Sequence, residues 1–466
     1  LDTLEEELGN RSFSRVLQIM QSNGGVMAAS VAREMPIAMV ESGPAGGAIG
    51  AAQLAKLIGY ENVISYDMGG TTAKTSIITG GLPETTEQYV VDGRPILLPV
   101  VDLREIGAGG GSIAWIDEAG AMHVGPQSAG ADPGPACYMR GGEDPTVTDA
   151  NLQLGILDPD YFLGGEMEIS RDLGHRAIRK VADHFDLSVD EAALGIVKIV
   201  NTNMAGLLQS MTVKRGYDPR EFVMVAFGGA GPIHAASIAK ELRIPTVIVP
   251  PYSGVFSAWG MLMADLRHDL QQTFIAPLAE CPAEDLNDAF EQLRDRIRGV
   301  FEKEEIPDDR VAIACELDLR YVGQEHTLAV LSPSPFTDGD RAAIAKAFDD
   351  LHQRVYGHSA PEEAKEIVSV KVIGIGNVNK PVLERIPRGT TEPGESACLG
   401  ERNVYIGNGH YEGFRIYRRD RLAAGNQFQG PAVIEEATAT SVVESGQSCR
   451  VDEYGNLVIS LNEEAQ

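Results

Sequence analysis

The run Asn62-Val63-Ile64-Ser65-Tyr66-Asp67-Met68-Gly69-Gly70-Thr71-Thr72-Ala73-Lys74-Thr75-Ser76-Ile77-Ile78-Thr79 decides how the rest of the chain is read. Its two flanks are rich in β-branched and aromatic residues, and the Gly-Gly-Thr-Thr between them predicts a hairpin. A carboxylate at the end of the first strand, followed by two glycines and two threonines, suits a polyphosphate. Glycine lets backbone N–H groups approach phosphate oxygens without a Cβ in the way, and threonine adds hydroxyl donors. Phosphate repels a carboxylate, so Asp67 is expected to act through a hydrated Mg2+ or to position a water. The turn lacks G-x-x-x-x-G-K-[ST] and is not a Walker A loop. Taken alone, it also reads as a simple turn.

Two small-residue stretches flank the motif at a distance. Glu41-Ser42-Gly43-Pro44-Ala45-Gly46-Gly47-Ala48-Ile49-Gly50-Ala51-Ala52 reads as a helix starting after Pro44, able to approach another backbone closely. Ser257-Ala258-Trp259-Gly260-Met261-Leu262-Met263 reads as a second. Between them, Phe222-Val223-Met224-Val225-Ala226-Phe227 predicts a buried strand, Gly228-Gly229-Ala230-Gly231 a turn, and Pro232 to Leu242 a helix. Bare backbone and a positive helix terminus there suit the phosphates or ribose of a nucleotide. Residues 80–165 are rich in Gly and Pro and read as ordered loops, and a helical stretch covers about 171–213. A D-G-G-T hairpin, a later strand-G-G-A-G-helix and two small-residue helices, in this order, resemble the sugar kinase, Hsp70 and actin class of ATP-binding folds.

The resemblance narrows further. The runs VESGPAGGAIGAA (40–52), YDMGGTTAKTS (66–76), IGAGGGSIA (106–114), SAGADPGPACY (128–138), TVTDANL (146–152), FGGAGPIHA (227–235) and GPAVIEEATAT (430–440) are similar to the hydantoinase A/5-oxoprolinase family. That resemblance implies an α/β fold, an actin-like (ribonuclease H-like) ATPase lobe with loop-rich insertions, followed by a β-rich α+β domain. The expected division is residues 1–10 as the end of an N-terminal domain that the sequence otherwise lacks, 11–270 as the nucleotide-binding domain and 271–466 as the C-terminal domain. It implies ATP-dependent hydrolysis of a cyclic amide of hydantoin, 5-oxoproline or lactam type, by phosphorylation of the amide oxygen. Ketone carboxylation and a non-catalytic nucleotide-binding module are the alternatives. Asp67 and Thr71 are the catalytic candidates. ATP and Mg2+ are expected at Asp67, Gly69, Gly70, Thr71, Thr72, Gly228, Gly229, Ala230 and Gly231, with the metal at Asp67 through water. A hydantoinase B-type subunit is the expected partner, in a homo- or hetero-oligomer. Relatives carry a further D-x-G-G-T loop upstream, so Asp67 belongs to the second of two phosphate loops.

Bulk properties set limits. At 466 residues the chain exceeds one compact core and predicts two or three domains. Sixty-seven acids against thirty-nine bases give a formal charge of −28, which repels nucleic acid and anionic membranes. No apolar run reaches the roughly 18–20 residues that span a bilayer, and Leu1-Asp2-Thr3-Leu4-Glu5-Glu6-Glu7 is no signal peptide, so a cytoplasmic protein is expected. That opening reads as a helix already under way, the later part of a longer polypeptide. The five cysteines form no C-x-x-C pair and predict neither a disulfide framework nor a thiolate zinc site.

Other residues carry blander readings. Lys74 is expected in solvent or in a structural role, and Asp132 and Cys137 in loop structure. His123 and His234 read as hydrogen-bonded structural histidines, and Asp149 and Asn151 as helix caps. No histidines form an i,i+4 metal pair. The run Arg415-Ile416-Tyr417-Arg418-Arg419-Asp420-Arg421 reads as a solvated or partner-facing strand.

Overall fold

The computed structural model describes residues 1–86, 89–91, 93–96 and 98–461. Its contacts divide the chain into two units, Leu1–Ser42 with Thr85–Val100 and Met263–Lys380, and Gly43–Glu84 with Val101–Leu262 and Pro381–Gln466. Both units are discontinuous in the chain. The first 42 residues group with the strands beyond 263, and the tail groups with the hairpin of Asp67.

In the second unit the elements that position the site are α1 (Ser42–Leu57), β1 (Val63–Met68), β2 (Ala73–Thr79), β3 (Arg104–Ile106), α2 (Val147–Gln153), α3 (Arg171–Phe185), α4 (Val189–Thr212), β4 (Val223–Phe227), α5 (Gly231–Leu242), β5 (Thr246–Val249), α6 (Phe256–Leu262), β6 (Gln427–Gln429), β7 (Ser448–Val451) and β8 (Leu457–Ser460). Among the described residues the strands form a nine-stranded sheet in the order β3-β2-β1-β4-β5-β8-β7-β6, with Leu82–Pro83 against β2. β4 runs parallel to both β1 and β5, and the remaining pairs are antiparallel. All five residues of β4 are buried, as a central parallel strand requires.

Alternate residues of each strand face opposite layers. Ile64, Ile77, Met224 and Ala226 pack with Val200, Met204 and Leu208 of α4 and Ile238 of α5. Val63, Val225 and Phe227 pack with Ala51, Ala52 and Leu54 of α1 and Phe256 of α6. The small-residue helices meet backbone to backbone: a Cβ on Gly260 would lie 1.9 Å from the Gly46 carbonyl oxygen. The helical stretch 171–213 is two helices, because Asp186 ends α3 in the left-handed region at φ 53° and Ser188 with Glu191 forms a capping box that starts α4. A separate four-stranded sheet pairs Cys398–Gly407, His410–Arg418, Ala432–Glu435 and Thr440–Val443 in that order.

The first unit opens with the helix Asp2–Asn10. Its six-stranded sheet orders Gln18–Met20, Val26–Ala28, Leu266–Pro277, Lys365–Gly376, Val311–Tyr321 and Leu328–Ser332. The amphipathic helix Ala283–Lys303 buries Leu286, Ala289, Phe290, Leu293, Ile297 and Phe301, an i, i+3, i+4 spacing. No helix among the described residues is long and apolar enough to cross a membrane.

Candidate functional site

In β1 and β2 Asp67 lies opposite Lys74 and Met68 opposite Ala73, and the Gly69 N–H donates to the Thr72 carbonyl at 3.1 Å to close the turn. Parallel pairing puts Phe227 opposite Asp67, so the turn after β4 arrives beside the hairpin turn. Ala230 N–H donates to the Met68 carbonyl at 3.0 Å. Gly228 adopts φ 80°, and a Cβ there would lie 2.4 Å from the Met68 oxygen and 2.5 Å from Asp67 Oδ1. A third loop completes the cluster. Gly110 and Gly111 N–H donate to the carbonyls of Gly69 and Gly70 at 3.0 and 2.6 Å, and Thr148 donates to Gly110 through its N–H at 2.7 Å and its hydroxyl at 2.8 Å.

Gly69 and Gly70 are glycines of another kind. A Cβ on either would meet nothing within 4 Å, and neither lies in the left-handed region. Packing and backbone geometry do not demand glycine there, and its absent Cβ leaves room for another group to approach the backbone closely. Both line a cavity of about 360 Å³ together with Gly110, Thr148, Asn151, Gly229 and Ala230, an apolar and aromatic set including Tyr138, Leu157, Tyr161, Phe162, Met167 and Ile233, and the segment Glu435–Thr440. Of the residues singled out in the sequence, Gly69, Gly70, Gly229 and Ala230 belong to this wall; Asp67, Thr71, Thr72, Gly228 and Gly231 do not. Thr71 is exposed at the tip of the hairpin, and Gly231 opens α5. Asp67 accepts a 3.4 Å hydrogen bond from the Ser257 hydroxyl. Burial pushes its carboxyl above the usual range, against the Ser257 bond and the Lys74 charge.

The wall has its own electrostatics. Asp158, Glu435 and Glu436 are its acids and Arg140 its base. Arg402 Nη2 holds Glu435 at 2.7 Å and Asp158 at 2.5 Å, and the Arg418 guanidinium sits 3.9 Å above the Tyr161 ring. Burial raises the Glu436 carboxyl, opposed by the Arg419 charge and the Tyr252 N–H. Arg402 already neutralises two of the three acids, so the glycine cradle and the N-terminus of α5 leave room for an anionic group such as a polyphosphate with its accompanying cation. No group of three or more His, Cys, Asp or Glu among the described residues is placed to hold a metal. A cation accompanying phosphates would be carried on them as a hydrated ion, the usual habit of Mg2+.

Several residues with blander readings take definite places. Lys74 pairs with Glu105 at 3.3 Å, and His123 with Asp117 at 2.7 Å. Asp132 is exposed and Cys137 buried, its thiol pushed up by burial and then by Asp149. Thr146 is the N-cap of α2, with Asp149 completing the capping box. Asn151 does not cap: it lies in the second turn, lines the cavity and contacts His234. Arg419 is likewise no solvated strand residue but buried, donating to the carbonyls of Val249 at 3.0 Å and Gly455 at 2.7 Å. The parts of the wall not foreseen from the sequence are Thr148, Asn151, the aromatic set and Glu435–Thr440. Their motifs were visible, but not their convergence.

Comparison with known proteins places these features in context. Residues 1–270 match the family profile described as hydantoinase/oxoprolinase, and residues 279–462 match the hydantoinase/oxoprolinase C-terminal domain. A protein of Methanocaldococcus jannaschii is 41% identical, covering 97% of this chain and 66% of its own length. The caprolactamase subunit alpha of Pseudomonas jessenii is 34% identical, with 97% and 65% covered. The crystal structure of ATP-dependent caprolactamase from Pseudomonas jessenii superposes with a TM-score of 0.87 at 32% identity, covering 99% of this chain and 67% of that one. A nucleotide-free structure of acetone carboxylase gives 0.83 at 29% identity, with 99% and 66% covered. The chain spans just under two thirds of the length of these two curated relatives.

Proposed function

Because this chain belongs to the hydantoinase/oxoprolinase family, we propose that it is the ATP-using part of an enzyme that hydrolyses a cyclic amide of hydantoin, 5-oxoproline or lactam type. The observation that carries the reading is the convergence of Gly69, Gly70, Gly110, Gly229 and Ala230 on one cavity, with the Cβ positions of Gly69 and Gly70 open. In this reading the second unit is an actin-like lobe. Its β1–β2 turn and the turn into α5 hold the phosphates of Mg-ATP, and Asp67 acts on the hydrated cation or a water from behind the cradle. Thr71 and Thr72 supply hydroxyls from the hairpin tip.

ATP supplies a phosphoryl group for the amide oxygen, converting a resonance-stabilised amide into a good electrophile. The protein's own contribution is position and charge: backbone N–H groups and the α5 terminus neutralise phosphate, and the apolar wall excludes water. The enzyme works in the cytoplasm with a hydantoinase B-type subunit.

The test is ATP consumption by the full-length polypeptide with that partner, across hydantoin, 5-oxoproline and caprolactam. Amide-dependent release of phosphate is the expected result. Bicarbonate-dependent consumption with a ketone would select the carboxylase chemistry instead. No consumption with any of these substrates would leave a nucleotide-binding module.

A further inference from the structure

Behind the cavity wall lies a buried relay of three side chains from three helices: Asn201 of α4, His234 in the first turn of α5, and Asn151 of α2. His234 Nδ1 is 2.7 Å from Asn201 Oδ1, and His234 Nε2 is 3.4 Å from Asn151 Nδ2. A carbonyl oxygen only accepts, so the ring proton sits on Nδ1. His234 is 1% exposed, and burial pulls its pKa down to about 4, which keeps the ring neutral. A neutral ring protonated at Nδ1 has Nε2 as an acceptor. Asn151 must therefore turn its NH2 inward, and Oδ1 is the atom left over. That oxygen is buried without a hydrogen-bond partner on a residue that is 2% exposed and lines the cavity. Leaving such an acceptor unsatisfied is costly, so it is completed by a donor that enters from the cavity, a water or a group on the ligand that displaces it.

We propose that Asn151 Oδ1 accepts a hydrogen bond from an N–H group on a ring of the bound ligand, and that His234 and Asn201 are positioning residues that fix the amide in this sense. The inference rests on the functional reading above. Two ligands of that reading carry such a group: the exocyclic amine of adenine and the ring N–H of a cyclic amide. A purine without the 6-amino group, a fully N-methylated cyclic amide or a ketone offers no donor. Asn151 thus discriminates between rings of nearly equal shape.

The experiment measures binding by calorimetry with the full-length protein and its partner. ATP is compared with the triphosphate of unsubstituted purine riboside, which has neither the 6-amino group nor an N1–H, and hydantoin, 5-oxoproline and caprolactam each with the fully N-methylated analogue. Whichever pair is discriminated identifies the source of the N–H. Wild type is expected to favour the N–H-bearing member by roughly 10-fold or more, and Asn151→Leu to reduce that to under about 3-fold. His234→Gln can donate to Asn201 and accept from Asn151, and should keep the selectivity that His234→Leu loses. Independently, 15N NMR of His234 should show a neutral ring with the proton on Nδ1 between about pH 5.5 and 8.5. A proton on Nε2 would reverse the relay and overturn the proposal. Unchanged selectivity in Asn151→Leu, beside normal binding, would overturn it and leave the functional reading standing. Absence of any nucleotide or amide binding by wild type would overturn both.

Discussion

Replacing Gly69, Gly70 and Gly228 with alanine, one at a time, separates ligand-driven glycine from fold-driven glycine in a single cluster. At Gly69 and Gly70 the added methyl meets nothing within 4 Å and the backbone is outside the left-handed region. Each substitution should therefore hold or raise stability, by about 0.4–1 kcal/mol, because alanine narrows the unfolded ensemble. The same methyl stands where phosphate oxygens would approach backbone N–H groups. Losing one charge-assisted hydrogen bond is worth about 1.5–3 kcal/mol, or roughly 10- to 150-fold in ATP affinity. Gly228→Ala should behave oppositely. Its φ of 80° costs alanine about 1–2 kcal/mol, and a Cβ 2.4 Å from the Met68 oxygen adds about 1–3 for displaced backbone. The expected loss is about 2–5 kcal/mol. Urea unfolding and ATP titration of the full-length protein read both quantities. If Gly69→Ala or Gly70→Ala unfolds as easily as Gly228→Ala, or binds ATP like wild type, the open Cβ positions do not mark a phosphate cradle.

Other perturbations follow from buried charge and helix packing. Burial raises the Asp67 carboxyl in the folded state, so its contribution to stability is full below the ordinary value of 3.8 and is lost as pH rises through the folded value. Asp67→Asn should gain stability relative to wild type with rising pH while losing ATP turnover; urea midpoints across pH 4–8 that show a flat or opposite difference contradict this. Arg215 bridges Glu84 at 2.9 Å and the buried Asp102, so Arg215→Ala should cost about 1–3 kcal/mol by removing the cation from Glu84 and leaving the buried Asp102 to the exposed Arg104 at 3.4 Å, with little relief from salt. Measured losses under about 0.5 kcal/mol would show that the bridge is dispensable. Gly260→Ala drives a methyl to 1.9 Å from the Gly46 oxygen and should cost about 3 kcal/mol or more by separating α1 from α6. Calorimetric unfolding checks it, and an unchanged Tm would refute the close helix contact.

Local features were legible because they depend on residues only a few positions apart. The β1–β2 hairpin, the strand–turn–helix at Gly228–Gly231 and the amphipathic helix Ala283–Lys303 follow from turn chemistry and hydrophobic period. The small-residue helices were also visible, though not their partners. The roles of Asn151 and Arg419 were not readable, because a polar side chain at a helix or strand position carries no mark of what lies opposite it in space.

The sequence by itself therefore determined the local pieces of the glycine-lined site: a carboxylate at a strand end, two glycines in a turn, and a glycine-rich entrance to a helix. The tertiary structure decided which pieces meet. It set β8 against β5, more than 200 residues away in the chain, and carried Glu435–Thr440 into the wall of the cavity at Gly69 and Gly229. Turn and helix geometry are fixed by backbone sterics over a few residues, whereas pairing across such separations is won only when buried backbone groups and apolar faces find common partners. For that reason the hairpin could be recognised in the sequence, while the distinction between Gly70, open to a ligand, and Gly228, closed against Asp67, needed the fold.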